Sequence, residues 1–253
     1  MIAHKMMIPY IYENKAVSET VKLPYLMYVP ESYDPEKKYK VLFFMHGMGE
    51  RGSDFNHLKD ENYHRYLCYV LEDEKLREEF ILVAPQCEES CCWVQYDAMV
   101  CYVKDENYDG EACSDSLALV YDFIENKLVK DFSIDGSRIY MAGLSMGGFA
   151  TWYTVINKPH LLAAAVPVCG GPEPKKLHQA KDIPIWAFHS LDDEIVPAIC
   201  LSRAMEIMEK EKATDFHATM YEHETHGSWI RGFKEREVFD WMISKVNPDP
   251  EIK

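Results

Sequence analysis

No stretch of the chain reaches the 18 or so consecutive apolar residues that a membrane-spanning helix requires, so no transmembrane segment is expected. The opening residues, MIAHKMMIPYIYENK, also lack the uninterrupted apolar core of a secretory signal. His4 and Lys5 break the run, and Glu13 to Lys15 end it. The expected location is therefore the cytoplasm. Basic residues are scarce, with 27 Lys and Arg against 42 Asp and Glu and a formal net charge of −15. A surface of that sign repels phosphate backbones and anionic headgroups, so neither a nucleic-acid partner nor a membrane surface is expected. The eight cysteines contain no C-x-x-C pair, which removes the usual zinc signature. In a long chain without a secretory signal they read as reduced thiols rather than disulfides. Neither a metal nor any other cofactor is expected. Internal repeats and low-complexity segments are absent as well.

A hydrophobic share of 47% is enough for a large core and excludes disorder. With 253 residues and no visible linker, a single domain over 1–253 is the economical reading. VKLPYLMYVP (21–30) alternates loosely and predicts a strand, and VLFFM (41–45) and FILVAP (80–85) are short apolar runs that predict buried strands. Residues 86–114 show no clean period and read as an irregular, cap-like excursion. From Ser114 to Lys130 the apolar positions Leu117, Val120, Phe123, Ile124 and Leu128 follow helical spacing behind a capping serine. Strands at 138–143, 163–170, 183–190 and 216–222 then alternate with helices at 147–156, 197–212 and 234–246. That alternation predicts an α/β fold: a mostly parallel sheet with helices on both faces.

The strongest chemical signal is Gly143-Leu144-Ser145-Met146-Gly147. It matches G-x-S-x-G, a sharp strand-to-helix turn that exposes the hydroxyl of its serine. The motif follows a predicted strand and opens a predicted helix, which is the context it requires. A serine hydroxyl needs a base to take its proton, and the base needs an acid to orient it. Downstream of Ser145, HSLDDEIVP offers Asp192 and Asp193, and HETHGSW offers His223 and His226. Both groups leave the carboxyl ends of predicted strands, where an open parallel sheet gathers its ligands. His160, His178, His189 and His217 read as surface or satisfied core residues.

Taken together, HGMGERG (46–52), APQC (84–87) followed by Trp93, GLSMGG, H-x-x-x-D-x-x-V-P and the terminal T-H-x-S-W resemble the α/β-hydrolase serine esterases. The likeness is to the phospholipase/carboxylesterase, dienelactone-hydrolase and feruloyl-esterase kind, and it runs from about residue 20 to 245. It implies the α/β-hydrolase fold and hydrolysis of a small-molecule ester through an acyl-enzyme, with short-chain or aromatic acyl groups such as acetyl or feruloyl esters of plant polysaccharides. By position it makes Ser145 the nucleophile, Asp193 rather than Asp192 the acid, and His226 rather than His223 the base. It assigns the oxyanion-hole N–H groups to Met48 and Met146, and Trp93 reads as a wall of the substrate pocket. Glu50 and Arg51 read as charged residues that shape the 46–54 loop. A serine peptidase of the prolyl-oligopeptidase type shares the fold and the elbow and is the second reading. A non-catalytic binding module is the third. Gly47-x-Gly49-x-x-Gly52 also satisfies the dinucleotide fingerprint, but the polar SDFNHLKDENYH that follows lacks the helical period such a site demands.

Overall fold

The computed structural model describes residues 6–55 and 65–252. His4, Lys5 and most of the polar stretch after Gly52 lie outside the described residues. Eight strands form one sheet: β1 (Ile8–Tyr12), β2 (Leu23–Tyr28), β3 (Tyr39–Met45), β4 (Phe80–Pro85), β5 (Ile134–Leu144), β6 (Ala164–Val168), β7 (Ile185–Ser190) and β8 (Phe216–Tyr221). Their spatial order is β1-β2-β4-β3-β5-β6-β7-β8. The first two strands pair antiparallel, β2 pairs antiparallel with β4, and all remaining pairings are parallel.

The unbroken apolar run of β3 follows from its central position. Val41, Phe43 and Met45 join the core on one face of the sheet, and Leu42 and Phe44 join the core on the other. With side chains alternating between two dry faces, no position is left for a polar residue. The first face is covered by Asp115–Phe123, which continues through a π turn to Asp131, and by Met146–Asn157 and Ile199–Lys210. Ser114 caps the first of these helices, its hydroxyl accepting from the Leu117 N–H at 3.2 Å. The second face is covered by Arg65–Glu72 and Arg236–Ser244, which bring Tyr66, Leu67, Val70, Phe239 and Met242 onto the sheet.

The sequence pattern does not show the helix Arg65–Glu72, which lies beyond a polar stretch without helical period, and two further elements also depart from it. β1 is an edge strand with four of its five residues exposed, so it carries no alternating pattern. Its ladder to β2 and the stacking of Tyr10 on Tyr25 hold it in place. The excursion over 86–114 is irregular only in part, because it contains a nine-residue helix, Tyr96–Lys104. That helix buries Ala98, Met99 and Tyr102. All eight cysteines are free thiols. Among the described residues no helix is long and apolar enough to cross a membrane.

Candidate active site

The carboxyl ends of β3, β5, β7 and β8 deliver the site. Ser145 follows β5 with φ 51° and ψ −117°, a conformation that costs a residue with a Cβ about 1–3 kcal/mol. The turn is held from both sides, the Ser145 N–H donating to the Val168 carbonyl at 2.9 Å and the Ser145 carbonyl accepting from the Phe149 N–H at 3.0 Å. Space explains the two motif glycines. A Cβ on Gly147 would lie 2.0 Å from the Met45 carbonyl oxygen, and one on Gly143 would lie 2.4 Å from the Gly147 carbonyl oxygen.

The structure brings Ser145, His226 and Asp193 into one chain of hydrogen bonds. His226 Nε2 is 2.9 Å from Ser145 Oγ, and His226 Nδ1 is 2.8 Å from Asp193 Oδ2. The Asp193 side chain is fully buried. Burial alone would raise its pKa, but hydrogen bonds from His189, His226 and the Val196 N–H outweigh that and hold the carboxyl well below the usual carboxylate range. It therefore stays ionised beside the imidazole. Asp192 has a different task. Its carboxylate accepts from Ser190 Oγ at 2.6 Å and from the Thr225 N–H at 2.9 Å, tying the acid loop to the loop that carries His226. His223 is 86% exposed and faces Asp192 at 3.9 Å, outside the chain of contacts to Ser145.

Met48 opens the turn Met48–Glu50, and Met146 opens the helix Met146–Asn157. The first N–H groups of a helical segment have no partner within it, so both backbones carry donors at the mouth of the site. The loop holding Met48 is latched to the segment after β4. The Cys87 N–H donates to His46 Nε2 at 2.9 Å, Gln86 Nε2 donates to the Glu50 carbonyl at 2.9 Å, and the Gly52 N–H donates to the Cys87 carbonyl at 2.9 Å. Arg51 donates to the Met48 and Cys91 carbonyls at 3.0 and 3.1 Å, the shaping role expected of it. Glu50 is buried and borders the cavity.

Trp93 belongs to this latch and corrects the sequence reading. It is fully buried, its indole N–H donates to the His46 carbonyl at 3.2 Å, and it is not among the residues that line the cavity. The cavity, about 520 Å³, opens beside Ser145 and His226. Its outer wall is the helix within the excursion, through Tyr96, Met99, Val100, Val103 and Lys104, and Phe149, Val196 and Trp229 close the other sides. Reading the excursion as cap-like anticipates a wall here, but not its helix, because nine residues of modest amphipathicity sit among the acidic and cysteine-rich residues of the segment.

Cys169 lies beneath the site with φ 42°. Burial drives its thiol far above the ordinary range, so it stays protonated and inert as a nucleophile. Donor atoms of Cys169, Asp193 and His226 fall within 4.8 Å of one another, but a protonated thiol is no metal ligand and the other two are hydrogen-bonded to each other, so the cluster does not fit a metal ion. His189 is a buried core residue, within the reading as surface or satisfied core, and its Nε2 lies 3.3 Å from Asp193 Oδ2, the oxygen that His226 also meets. Its spacing four residues before Asp193 was visible in the motif, but its direction was not.

A family model described as phospholipase/carboxylesterase matches residues 29–239. Endo-1,4-beta-xylanase Y of Acetivibrio thermocellus is 29% identical over 154 residues, which cover 57% of this chain and 12% of that protein. A solved structure described as a thermostable esterase superposes with a TM-score of 0.81 at 30% identity, over 96% of this chain and 64% of that one. The feruloyl esterase module from Clostridium thermocellum, complexed with sinapinate, gives a TM-score of 0.58 at 16% identity, over 94% and 87% of the two chains. At that identity the likeness is one of fold. The chain thus spans a small part of the xylanase and under two thirds of the thermostable esterase.

Proposed function

This chain belongs to the phospholipase/carboxylesterase family, and on that footing we propose that it is a serine carboxylesterase acting on short-chain or aromatic acyl esters through an acyl-enzyme. The observation that carries the reading is the Ser145–His226–Asp193 chain of hydrogen bonds ending at an apolar cavity. Neutral His226 accepts the Ser145 proton at Nε2 while the hydroxyl oxygen attacks the ester carbonyl carbon. The carbonyl oxygen gains negative charge and is met by the Met48 and Met146 N–H groups, whose dipoles are already oriented when the charge appears. His226 then returns its proton to the leaving alkoxide, the alcohol departs, and the acyl group remains on Ser145. A water repeats the sequence and releases the acid. Ionised Asp193 holds the imidazole with Nδ1–H turned toward itself and stabilises the cation formed at each proton transfer.

An apolar cavity of this size suits a compact acyl group, and the Tyr96, Phe149 and Trp229 rings along it favour an aromatic one. Acetyl and feruloyl esters of plant polysaccharides are the substrates the sequence resemblance suggests, and the match to part of a xylanase is in keeping with them. The test is covalent labelling by a fluorophosphonate together with a kinetic panel of acetyl, butyryl, octanoyl, decanoyl and feruloyl esters and a matched amide. Labelling at Ser145, ester rates far above the amide rate, and kcat/KM falling beyond about eight carbons, near the limit of a small closed pocket, would support the reading. Amide cleavage at a comparable rate would favour a peptidase instead.

A further inference from the structure

We propose that His189 is a positioning residue for Asp193: a second imidazole that holds the acid beside that of His226. The inference rests on the serine-esterase reading and adds a fourth participant to it. His189 ends β7 and is fully buried. Its Nε2 lies 2.7 Å from the Val196 carbonyl oxygen and 3.3 Å from Asp193 Oδ2. Both neighbours are acceptors, so the ring proton must sit on Nε2, shared between them. Nδ1 is buried and has no hydrogen-bond partner among the described residues.

These contacts close a ring. Asp193 Oδ1 accepts from the Ile195 and Val196 N–H groups at 2.9 Å each, and the Val196 carbonyl in turn accepts from His189. The carboxylate is therefore held by the Ile195 and Val196 N–H groups on Oδ1, by His189 on Oδ2, and by His226 Nδ1, which lies 2.8 Å from Oδ2 and 3.0 Å from Oδ1. His226 exchanges the proton with Ser145, whereas His189 contacts neither the cavity nor Ser145 among the described residues. Its consequence for the reaction passes through Asp193 alone: it keeps Oδ2 in the plane where His226 Nδ1–H can point at it.

The experiment compares His189→Gln with His189→Met, each in the wild-type and Asp193→Asn backgrounds, with p-nitrophenyl acetate as substrate and Ser145→Ala as control. Glutamine carries an N–H close to the place of Nε2, and methionine fills the space without a donor. His189→Met should lower kcat by about 10- to 100-fold, the size of losing one hydrogen bond to a charged group. KM should stay within about twofold, and His189→Gln should recover most of the loss. In the Asp193→Asn background the same substitution should cost no more than about twofold, because residues acting through one group are not additive. Should the methionine variant fail to fold, His189→Asn, too short to reach Asp193, takes its place. Full-sized loss in the Asp193→Asn background, no recovery with glutamine, or unchanged kcat in His189→Met would each overturn the proposal. An active Ser145→Ala would overturn the esterase mechanism itself, and a dead Ser145→Ala beside unaffected His189 variants would remove only the clamp.

Discussion

Replacing Asp193 by asparagine tests the acid with one atom. Oδ1 accepts two backbone N–H groups at 2.9 Å, so the asparagine carbonyl oxygen must keep that place. The new NH₂ then stands where Oδ2 was, 2.8 Å from His226 Nδ1. An N–H cannot face an N–H, so the imidazole is driven to turn its lone pair at Nδ1 toward the new NH₂ and carry its proton on Nε2, opposed only by the longer 3.0 Å contact of Nδ1 to the Oδ1 that two backbone N–H groups already occupy. Nε2 is the atom 2.9 Å from Ser145 Oγ, and with a proton on it the base is lost. In the Ser-His-Asp template of serine proteases this change lowers kcat about 10⁴-fold, or roughly 5.4 kcal/mol at 1.36 kcal/mol per decade. We expect a loss of that order, with KM little changed because Asp193 does not line the cavity. Asp192→Asn keeps its Oδ1 acceptor for Ser190 and Thr225 and loses only a weak, exposed contact with His223 at 3.9 Å. Its kcat should stay within about threefold, as expected for an exposed pair. Steady-state hydrolysis of p-nitrophenyl acetate, with circular dichroism as a fold control, decides the matter. Equal losses in the two variants, or a loss under tenfold in Asp193→Asn, would refute the assignment of the acid.

Trp93→Ala should behave as a core deletion, costing about 3–5 kcal/mol and lowering the melting temperature by about 10 °C. Acetyl and aromatic esters should lose activity alike, and a selective loss on aromatic esters would return Trp93 to the pocket. Gly147→Ala should yield little folded protein, since its Cβ would meet the Met45 carbonyl oxygen at 2.0 Å; a soluble, active variant would show that the elbow relaxes freely. Because the folded-state pKa of Asp193 is depressed, its stabilisation is present above the unfolded value of about 3.9 and is lost as pH falls through the folded value. Acid titrations of stability should show a smaller acid-side loss in Asp193→Asn than in wild type.

What the chain announces locally is the part of the fold that burial imposes. The part of β3 that is dry on both faces, residues 41–45, is wholly apolar, and its split into Val41, Phe43, Met45 and Leu42, Phe44 is a direct reading of strand geometry. The elbow is equally legible as a pattern, although only the limit at Gly143 is local, set by the Gly147 carbonyl, while that at Gly147 is set by the Met45 carbonyl of β3. β1 left no such trace, since an exposed edge strand depends on its partner's backbone rather than on its own side chains.

The sequence by itself determined which residues could serve as nucleophile, acid and base, because hydroxyl, carboxylate and imidazole chemistry belongs to residue type and their order along the chain is visible. Only the tertiary structure decided how they meet. Ser145 and His226 are 81 residues apart and touch because β5 and β8 end on the same side of one sheet. The same packing turned Trp93 inward under the His46 carbonyl, gave the pocket wall to the helix Tyr96–Lys104, and set His189 against Asp193. A side chain's direction depends on the backbone that carries it and on the neighbours that fill the space around it. Those neighbours come from distant segments that no local pattern encodes.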